Sequence, residues 1–347
     1  MSTRIEANRL YLRDLFSGPF GGHAIIMDAM GPDKPCPGDF VASQQPHADW
    51  LGYHVEHYRR MLAHSEAIGD DSVPYVKIHT GTQLFAQAFG CDVHIFPSDP
   101  PSARPLVRTA DEADRLPQAT IESPVMARVF EFAQQIRDRV GPDVPISVPD
   151  IQSPFDVAAL IWNKEDLFVA MIETPDAVKR LAAKCHKLLA DFLVEFRRWF
   201  PNCNYCHCPY AWAPPELGCW LSEDEVGSMS TAMFEEFSLP ILADLSRQFG
   251  GLFVHCCATA DHQYGIFKKI PHLRGLNRVF QAPGPRPAIE TFDGHTVFMQ
   301  AWHPLEYAEM MLDMARPDTR FLFNMPYQPL DDAKRTFERL RRRCPKG

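Results

Sequence analysis

The sequence predicts an α/β protein that folds as a single (β/α)8 TIM barrel with loop insertions. Three observations predict this class. Short apolar runs that resemble strands alternate with stretches of helical periodicity. Eight such strands spread over most of a 347-residue chain fit one barrel. No internal repeat or low-complexity tract divides the chain, so we treat 1–347 as one domain with 1–20 as an N-terminal extension.

The strands are predicted from the apolar runs in chain order. They cover 23–28, 73–78, 144–148, 204–208, 252–257, 275–280, 296–300 and 320–324. A ninth run, 92–96, is placed in an excursion after the second strand. A doubly wound open sheet is the alternative fold. No Gly-x-Gly-x-x-Gly follows the early strands, which argues against the dinucleotide-binding form of that fold.

The clearest helix is predicted over 176–200. Thr174 suits the N-cap and Pro175 the first helical position. A second helix is predicted from near Ser230 to the glycine pair at 250–251, which suits a left-handed C-terminal stop. Between the two helices, Ser-Glu-Asp-Glu at 222–225 is typical of a capping box.

Charge and composition narrow the class of function. The net charge of −9, from 35 basic and 44 acidic residues, argues against nucleic-acid binding, which needs concentrated positive charge. No apolar run approaches the length of a membrane-spanning helix, and the N-terminus does not resemble a secretion signal. We therefore expect a cytoplasmic protein that acts on a small molecule, with its ten cysteines as thiols.

The predicted strand ends carry polar, metal-binding and aromatic side chains. In a TIM barrel the chemistry lies at the C-terminal ends of the strands. The residues at those ends are Asp28, His79, Asp150, Gln152, His207, Cys208, His255, Cys257, Gln281, Trp302, His303 and Asn324.

His255 and Cys257 form the sharpest local motif. Alternate side chains of a strand share a face, so these two point together and Cys256 points the other way. An imidazole and a thiolate in this arrangement can hold zinc. Cys206 and Cys208 share a face of the preceding strand, so either could supply a third ligand, with Cys208 preferred. Alternatively, the cysteine is a small buried apolar residue and the histidine only bonds a carbonyl. A redox role for the C-x-x-C at 203–206 is less favoured, because this motif enters a strand rather than a helix.

Other residues near these ends suggest a substrate pocket. Trp212 and Trp302 follow two of the strands and either form a wall of the pocket or pack loops over it. His262 lies soon after Cys257, either as an acid/base group or as the neighbour of a helix cap.

Taken together, these stretches resemble the uroporphyrinogen decarboxylase superfamily, which includes the decarboxylase and cobalamin-linked methyltransferases. The resemblance covers about 20–340 and implies a TIM barrel. The matching stretches are Pro-Tyr-Val-Lys at 74–77, Ala-Phe-Gly-Cys at 88–91, Asp-Ile-Gln-Ser-Pro-Phe-Asp at 150–156, Leu-Ser-Glu-Asp at 221–224, Phe-Ser-Leu-Pro at 237–240, Phe-Gly-Gly at 249–251, His-Cys-Cys at 255–257 and Pro-Leu-Asp-Asp at 329–332.

Two departures from the family pattern bear on the activity. The decarboxylase binds its polycarboxylate substrate with a pair of arginines after the first strand, whereas 26–32 has no arginine and presents Asp28. This argues against porphyrinogen decarboxylation. The zinc-dependent methyltransferases have a His-x-Cys motif that His255 and Cys257 match. Their third ligand, a cysteine before the last helix, has no counterpart in 321–326.

The resemblance implies, first, a methyltransferase that moves a methyl group between a corrinoid-borne or other methylated donor and a small thiol or tetrahydrofolate-type acceptor. It would act with zinc at His255, Cys257 and Cys208 or without zinc, and a separate corrinoid protein would be its partner. Trp212 and Trp302 would cover the acceptor, and Asp28 and Asn324 would orient it. In a zinc-free form, Asp28, Gln152 and Asn324 would bind a pterin-like ring.

Two alternatives remain. One is a decarboxylase or other lyase in which His207, His262 or His303 donates the proton. The other is a barrel without catalysis that binds a ligand. The candidate catalytic groups are therefore His207, His262 and Asp28, with Gln152, Trp212, Trp302, His303 and Asn324 as substrate contacts.

Overall fold

The computed structural model describes residues 3–29, 47–96, 101–280, 282–292 and 294–346, with only the backbone described for 47–49. The described strands are β1 Ala24–Met27, β2 Val93–His94, β3 Ser102–Ala103, β4 Cys219–Ser222, β5 Leu252–Cys256, β6 Leu273–Arg278, β7 Val297–Ala301 and β8 Arg320–Met325. Six of these strands form a parallel sheet in the order β1-β8-β7-β6-β5-β4, and β2 pairs with β3 in a separate antiparallel hairpin.

Helices connect the strands in an α/β arrangement. They are α1 Thr3–Ser17, α2 His47–Ile68, α3 Leu84–Ala88, α4 Ala110–Arg115, α5 Pro124–Val140, α6 Pro154–Ile161, α7 Lys164–Glu173, α8 Pro175–Trp199, α9 Thr231–Met233, α10 Leu239–Phe249, α11 Tyr264–Phe267, α12 Arg286–Thr291, α13 Leu305–Met314 and α14 Leu330–Arg343. Within the described residues, no helix has the length and apolar character that crossing a bilayer requires.

The predicted helices are confirmed with small changes. The long helix at 176–200 is α8, which buries the predicted apolar face, although the Thr174 hydroxyl donates back to Ala170 O instead of capping the helix. The second helix begins after Ser230, whose hydroxyl accepts the Met233 N–H at 3.2 Å, and ends at Gly250 with φ +87°. A π-helical turn at Phe234–Ser238 precedes α10. Pro240 has no N–H to donate, so the regular i→i−4 pattern is interrupted there.

Five predicted strands are confirmed as β1 and β5–β8, and 92–96 lies in the predicted excursion as β2. The strand β4 is missing from the prediction. It is only four residues long, it follows a proline-rich loop, and its last residue also fits the predicted capping box. All four of its residues are buried, so period-2 alternation gives no signal there.

The predicted strands at 73–78, 144–148 and 204–208 are corrected. They take part only in isolated parallel bridges, Val76 with Ile146 and Ser147 with Asn204, so eight regular strands in a closed ring are not observed among the described residues. Side chains take the place of ladder carbonyls here. The Ile78 N–H donates to Ser147 Oγ at 3.1 Å, and the Cys206 N–H donates to Asn204 Oδ1 at 3.2 Å. Backbone donors that are satisfied by side chains do not form a regular ladder.

At the free edge of β1, side chains also accept the backbone N–H groups. The Ile25 N–H donates to Asp71 Oδ2 and the Met27 N–H donates to Asp70 Oδ2, each at 2.8 Å. Asp71 also forms ion pairs with Arg341 and Lys346. Two carboxylates therefore cap the edge where another strand would otherwise pair.

Large rings fill the face of the sheet below the candidate site. Trp220 of β4 and Phe253 of β5 stack with centroids 4.5 Å apart, and Phe16 of α1 packs edge-on against Phe253. The neighbouring position in β6 is Gly275, where a Cβ would lie 2.7 Å from the Phe253 ring. Only glycine leaves room for this aromatic layer, which supports the polar layer above it.

Candidate functional site

A row of polar side chains crosses the sheet one layer above these rings. Ser222, His255 and Asn277 are register partners on β4, β5 and β6, so their side chains share one face. Asn277 Nδ2 donates to the Met299 carbonyl, which leaves Asn277 Oδ1 to accept the His255 Nδ1–H at 2.5 Å. The asparagine thereby fixes the tautomer of His255, with the Nε2 lone pair on the far side of the ring.

Possible metal-ligating atoms of His255 and two other residues lie close together. One ligand atom each from Asp224, His255 and Cys257 lie within 4.8 Å of one another. His255 and Cys257 therefore lie together, as their spacing on β5 predicted. Cys256 is buried and its thiol lies 4.0 Å from Ala258 O. The Cys257 N–H donates to Asp224 Oδ1 at 2.6 Å, so backbone and side chains both link the two segments.

Cys208 reaches the same imidazole. Burial by itself lowers the pKa of His255, but hydrogen bonds to Cys208 and Cys257, with the charges of Cys208 and Asp224, raise this pKa well above its usual value. Sulfur and carboxylate groups thus surround the His255 imidazole. Metal binding at such a group displaces protons, and the N/S/O donor set suits zinc. Cys206, the other cysteine of that strand, is fully buried and donates to Pro209 O at 3.0 Å.

Buried acids hold the Asp224 segment in place. Asp156 accepts the Asp224 N–H at 2.7 Å and the Glu225 N–H at 3.0 Å. Glu223 accepts the Ser238 hydroxyl at 2.7 Å, and burial raises the pKa of Glu223 to about 8. Burial, together with the charge of Glu223, also raises the pKa of Asp156 well above its usual value. These contacts aim Asp224 at His255.

The predicted capping box at 222–225 is therefore wrong. Ser222 ends β4, and its hydroxyl lies 3.0 Å from His207 Nε2 instead of capping a helix. Asp224 is the residue before a short 3-10 helix, Glu225–Ser228, and has no side-chain cap bond. The Ser-Glu-Asp-Glu motif is compatible with a helix cap and with a loop that carries ligands. Because Ser222 is the last residue of β4, the motif forms the loop that follows this strand.

His207 lies beside Asp150 at the edge of this group. It is 2% exposed, and His207 Nε2 lies 3.8 Å from Asp150 Oδ1. Burial, with the charges of His255 and Lys77, lowers the pKa of His207 well below its usual value. Burial raises the pKa of Asp150, while the Gln152 amide donates to Asp150 Oδ1 at 2.7 Å. Gln152 also bridges to Ser222 through the backbone, so it reaches the same row.

The remaining predicted residues at strand ends have varied surroundings. Asp28 follows β1, where its N–H donates to Met325 O at 3.0 Å. Asn324 is buried, and its Oδ1 accepts the Tyr210 N–H at 3.2 Å. Trp302 follows β7, is 51% exposed and has φ +64°. His303 stacks on Tyr307 with centroids 4.2 Å apart.

Trp212 and His262 are not brought together with His255. The chain turns back after Cys208, so that the Ala211 carbonyl accepts from Asn204 Nδ2 at 2.8 Å. Trp212 then lies under Arg9 of α1 and lines a cavity of about 260 Å³ that includes Pro201 and Asn202, which precede Asn204 in the chain. Trp212 therefore lies at the amino-terminal end of segment 204–208. The substrate wall was expected at the carboxyl-terminal end of that segment. His262 is exposed and its Nε2 lies 3.0 Å from Met229 O, a contact typical of loop packing.

Three residues of the site are not predicted by the sequence patterns. Asp224 fits a capping box, Asn277 lies inside a strand, and Lys77 is part of a family motif. A polar residue inside a buried strand such as Asn277 is a usable signal, because it needs a partner. Nothing in the chain near Asp224 indicates that it meets His255.

Comparison with known proteins agrees with the family resemblance. A sequence profile of the family described as uroporphyrinogen decarboxylase (URO-D) matches residues 73–198. No curated protein matches the chain. A solved structure described as a methyltransferase from Methanosarcina mazei is similar over 96% of this chain and 98% of that one, with a TM-score of 0.66 and 14% identity. That identity informs on the fold alone, and the profile does not extend to His255 and Cys257. Residues 73–198 therefore match the uroporphyrinogen decarboxylase family, in line with the resemblance seen in the sequence.

Proposed function

We propose that this protein is a methyltransferase that moves a methyl group between a corrinoid-borne or other methylated donor and a small thiol or folate-type acceptor. The observation that carries the proposal is the donor group of Asp224, His255 and Cys257 within 4.8 Å. The similarity to a solved methyltransferase supports the same class. We also propose that the six-stranded sheet and the bridged segments 73–78, 145–153 and 204–208 together correspond to the family's (β/α)8 barrel.

Zinc is the metal that fits these residues best. His255 Nε2 and the Cys257 thiolate are typical zinc ligands, and the Asp224 carboxylate is the nearest third donor. Cys208, the third ligand favoured by the sequence, forms a hydrogen bond with the same imidazole and is the alternative to Asp224 as third donor. Three protein ligands with one open position are the pattern of catalytic rather than structural zinc sites.

The chain's own residues would prepare this site. Bound zinc would lower the pKa of an acceptor thiol, so that a thiolate is available at neutral pH. Asn277 keeps the His255 Nε2 lone pair directed at the donor group. Asp156 keeps Asp224 in reach through two backbone N–H groups. Asp28, Gln152 and Asn324 remain the candidates for orienting the acceptor.

The lyase alternative receives less support from the candidate proton donors. His207 has a lowered pKa because of its burial and is therefore neutral at pH 7. His262 bonds a backbone carbonyl, and His303, stacked on Tyr307, has a pKa lowered by burial. A general acid needs a proton to give at the operating pH.

The first test measures zinc after expression in zinc-replete medium. We expect about one zinc per chain in the wild type and less than about 0.2 in His255→Ala and Cys257→Ser. The adjacent Cys256→Ser is the matched control and should keep its zinc. Comparing Cys208→Ser with Asp224→Asn identifies the third ligand. A wild-type protein with less than about 0.2 zinc per chain would remove zinc from the proposal.

The second test measures methyl transfer. Free methylcobalamin and 2-mercaptoethanol serve as probes, and the cobalamin absorbance and the methyl thioether are followed together. We expect turnover in the wild type and in Cys256→Ser, and a loss of at least about 100-fold in Cys257→Ser. Equal rates in Cys257→Ser and wild type, above the protein-free rate, would contradict a role of this group in the reaction.

A further inference from the structure

A second polar cluster lies near the candidate metal group and has no role in the proposed chemistry. It consists of Lys77, Tyr210, His57 and His79, and we call it the Lys77 subsite. We propose that the Lys77 subsite binds a single monoanionic group, a carboxylate or a sulfonate, on the substrate. The inference deepens the proposed function, on which it rests for the statement that the bound molecule is the substrate.

Lys77 is a half-buried cation without an acidic partner among the described residues. Its ammonium lies 4.4 Å from the centroid of the Tyr210 ring. The recorded lysine ion pairs in the described part of the chain belong to Lys164, Lys179, Lys187, Lys269 and Lys346. A partly desolvated ammonium over an aromatic ring is stabilised by the ring, and the Asp150 carboxyl is within its electrostatic reach but forms no ion pair with it.

Two imidazoles line the subsite with ring nitrogens that lack partners. His57 is 3% exposed, and neither ring nitrogen has a hydrogen-bond partner within the described residues. The same holds for His79 Nε2. The His57 centroid lies 5.5 Å from that of His79 and 5.8 Å from that of Tyr210. Buried polar atoms are normally paired, so unpaired ones at one place point to a ligand or ordered water.

Both imidazoles are neutral. Burial and the charge of Lys77 lower the pKa of His57 to about 3 and that of His79 well below its usual value. A neutral imidazole still has one N–H to donate. The subsite therefore offers one positive charge and two neutral donors. This combination balances one negative charge, whereas a dianionic phosphate or a polycarboxylate would leave charge unpaired.

The Lys77 subsite and the metal group lie close to each other. Asp150 and His207 each lie within electrostatic reach of both Lys77 and His255. The Val76–Ile146 bridge places Lys77 on the same strand edge that leads to Asp150. Asn324 fixes the other wall by accepting the Tyr210 N–H. A small molecule held by its anionic end at Lys77 would thus present its other end toward His255.

The test measures binding of benzoate, benzenesulfonate, benzamide and inorganic phosphate by titration calorimetry, with ligand-observed NMR for weak binding. We expect benzoate or benzenesulfonate to bind, and benzamide, which has the same shape without the charge, to bind at least about ten-fold more weakly. The stronger of the two anions identifies the recognised group. In a buffer above the second pKa of phosphate, where this ion is a dianion, phosphate binding as tightly as the stronger anion would overturn the assignment of a monoanion.

Variants separate this inference from the proposed function. Lys77→Met should raise the Kd of the bound anion by about 10- to 100-fold, while Lys77→Arg keeps most of the affinity. Lys268→Met is the matched control, because its ammonium only bonds Thr291 O, and its Kd should equal that of the wild type. His255→Ala should lose zinc and methyl transfer but keep anion binding. The urea denaturation midpoint of Lys77→Met, compared with that of the wild type, reports whether this variant is folded.

Three outcomes would overturn the inference: equal Kd values for Lys77→Met and wild type, equal Kd values for benzoate and benzamide, or no binding of either anion to the wild type. Each of these leaves the zinc and methyl-transfer tests untouched. Conversely, anion binding that depends on Lys77 in a protein without methyl transfer would keep the subsite and remove the proposed reaction.

Discussion

Two halves of the sheet region differ in how their backbone is satisfied. From β4 through β8 to β1, regular parallel ladders connect every neighbouring pair of strands. Between β1 and β4 in the chain, the segments around Val76, Ile146 and Asn204 meet only at isolated bridges, and side chains of Ser147, Asn204 and Thr80 accept backbone N–H groups.

This difference separates two tasks. The half with regular ladders, β4 to β8 and β1, is called the ladder half, and the half with isolated bridges is called the bridged half. The ladder half holds Ser222, His255 and Asn277 in one row, so the orientation of His255 follows from strand register. The bridged half brings Lys77, Asp150 and Cys208 toward that row on irregular backbone. Rigid elements position a functional group more accurately than loops, whereas irregular segments can direct more side chains into one place.

The largest expected effect breaks the capped edge of β1. Asp71 is fully buried, accepts the Ile25 N–H and pairs with Arg341 and Lys346. Asp71→Ala should lower the free energy of unfolding by about 3–5 kcal/mol, because it leaves the buried Ile25 N–H and the partly buried Arg341 guanidinium without their partner. Urea denaturation measures this. Asp313→Ala, which breaks an exposed pair with Arg343, should cost less than about 1 kcal/mol, and equal losses in both variants would contradict the structural role of Asp71.

A smaller effect tests the ladder half. Asn277→Leu has a similar volume but cannot accept the His255 Nδ1–H. If zinc binds as proposed, its affinity should fall by about 10- to 100-fold, as for other residues that orient metal-binding histidines. Competition with a chromophoric chelator measures this. Thr296→Val removes a hydrogen bond to Leu273 O at the other end of the sheet, so it should leave the affinity unchanged. A drop of the same size in Thr296→Val would mean that the loss is unspecific.

The smallest effect concerns the boundary between the halves, at the end of β4. Burial raises the pKa of Glu223 from 4.5 to about 8. Between these values the folded state keeps a proton that the unfolded chain releases, so stability is full below pH 4.5 and declines as the pH rises toward 8. From pH 6 to 8, the wild type should lose about 2 kcal/mol more than Glu223→Gln in urea denaturation. Parallel pH profiles for the two proteins would refute the buried, protonated state of Glu223.

The order of the main elements could be predicted from the sequence. The apolar periodicity of α8 and the runs that became β1 and β5–β8 are local signals, and the structure confirms them. The bridged segments carry equally apolar runs, but Ser147, Asn204 and Thr80 compete for their backbone donors. This competition depends on contacts between distant segments, so a local pattern cannot report it.

For the site, the sequence by itself determined that His255 and Cys257 share a face, because strand alternation is a property of the backbone. Tertiary structure decided which groups meet them: Asp224, 31 positions before His255, and Cys208 across the sheet. It also decided that Trp212 lies at the far end, under Arg9, since the chain turns back after Cys208. Alternation places side chains within one strand, whereas proximity between strands is set by register and packing, which arise only when the whole sheet assembles.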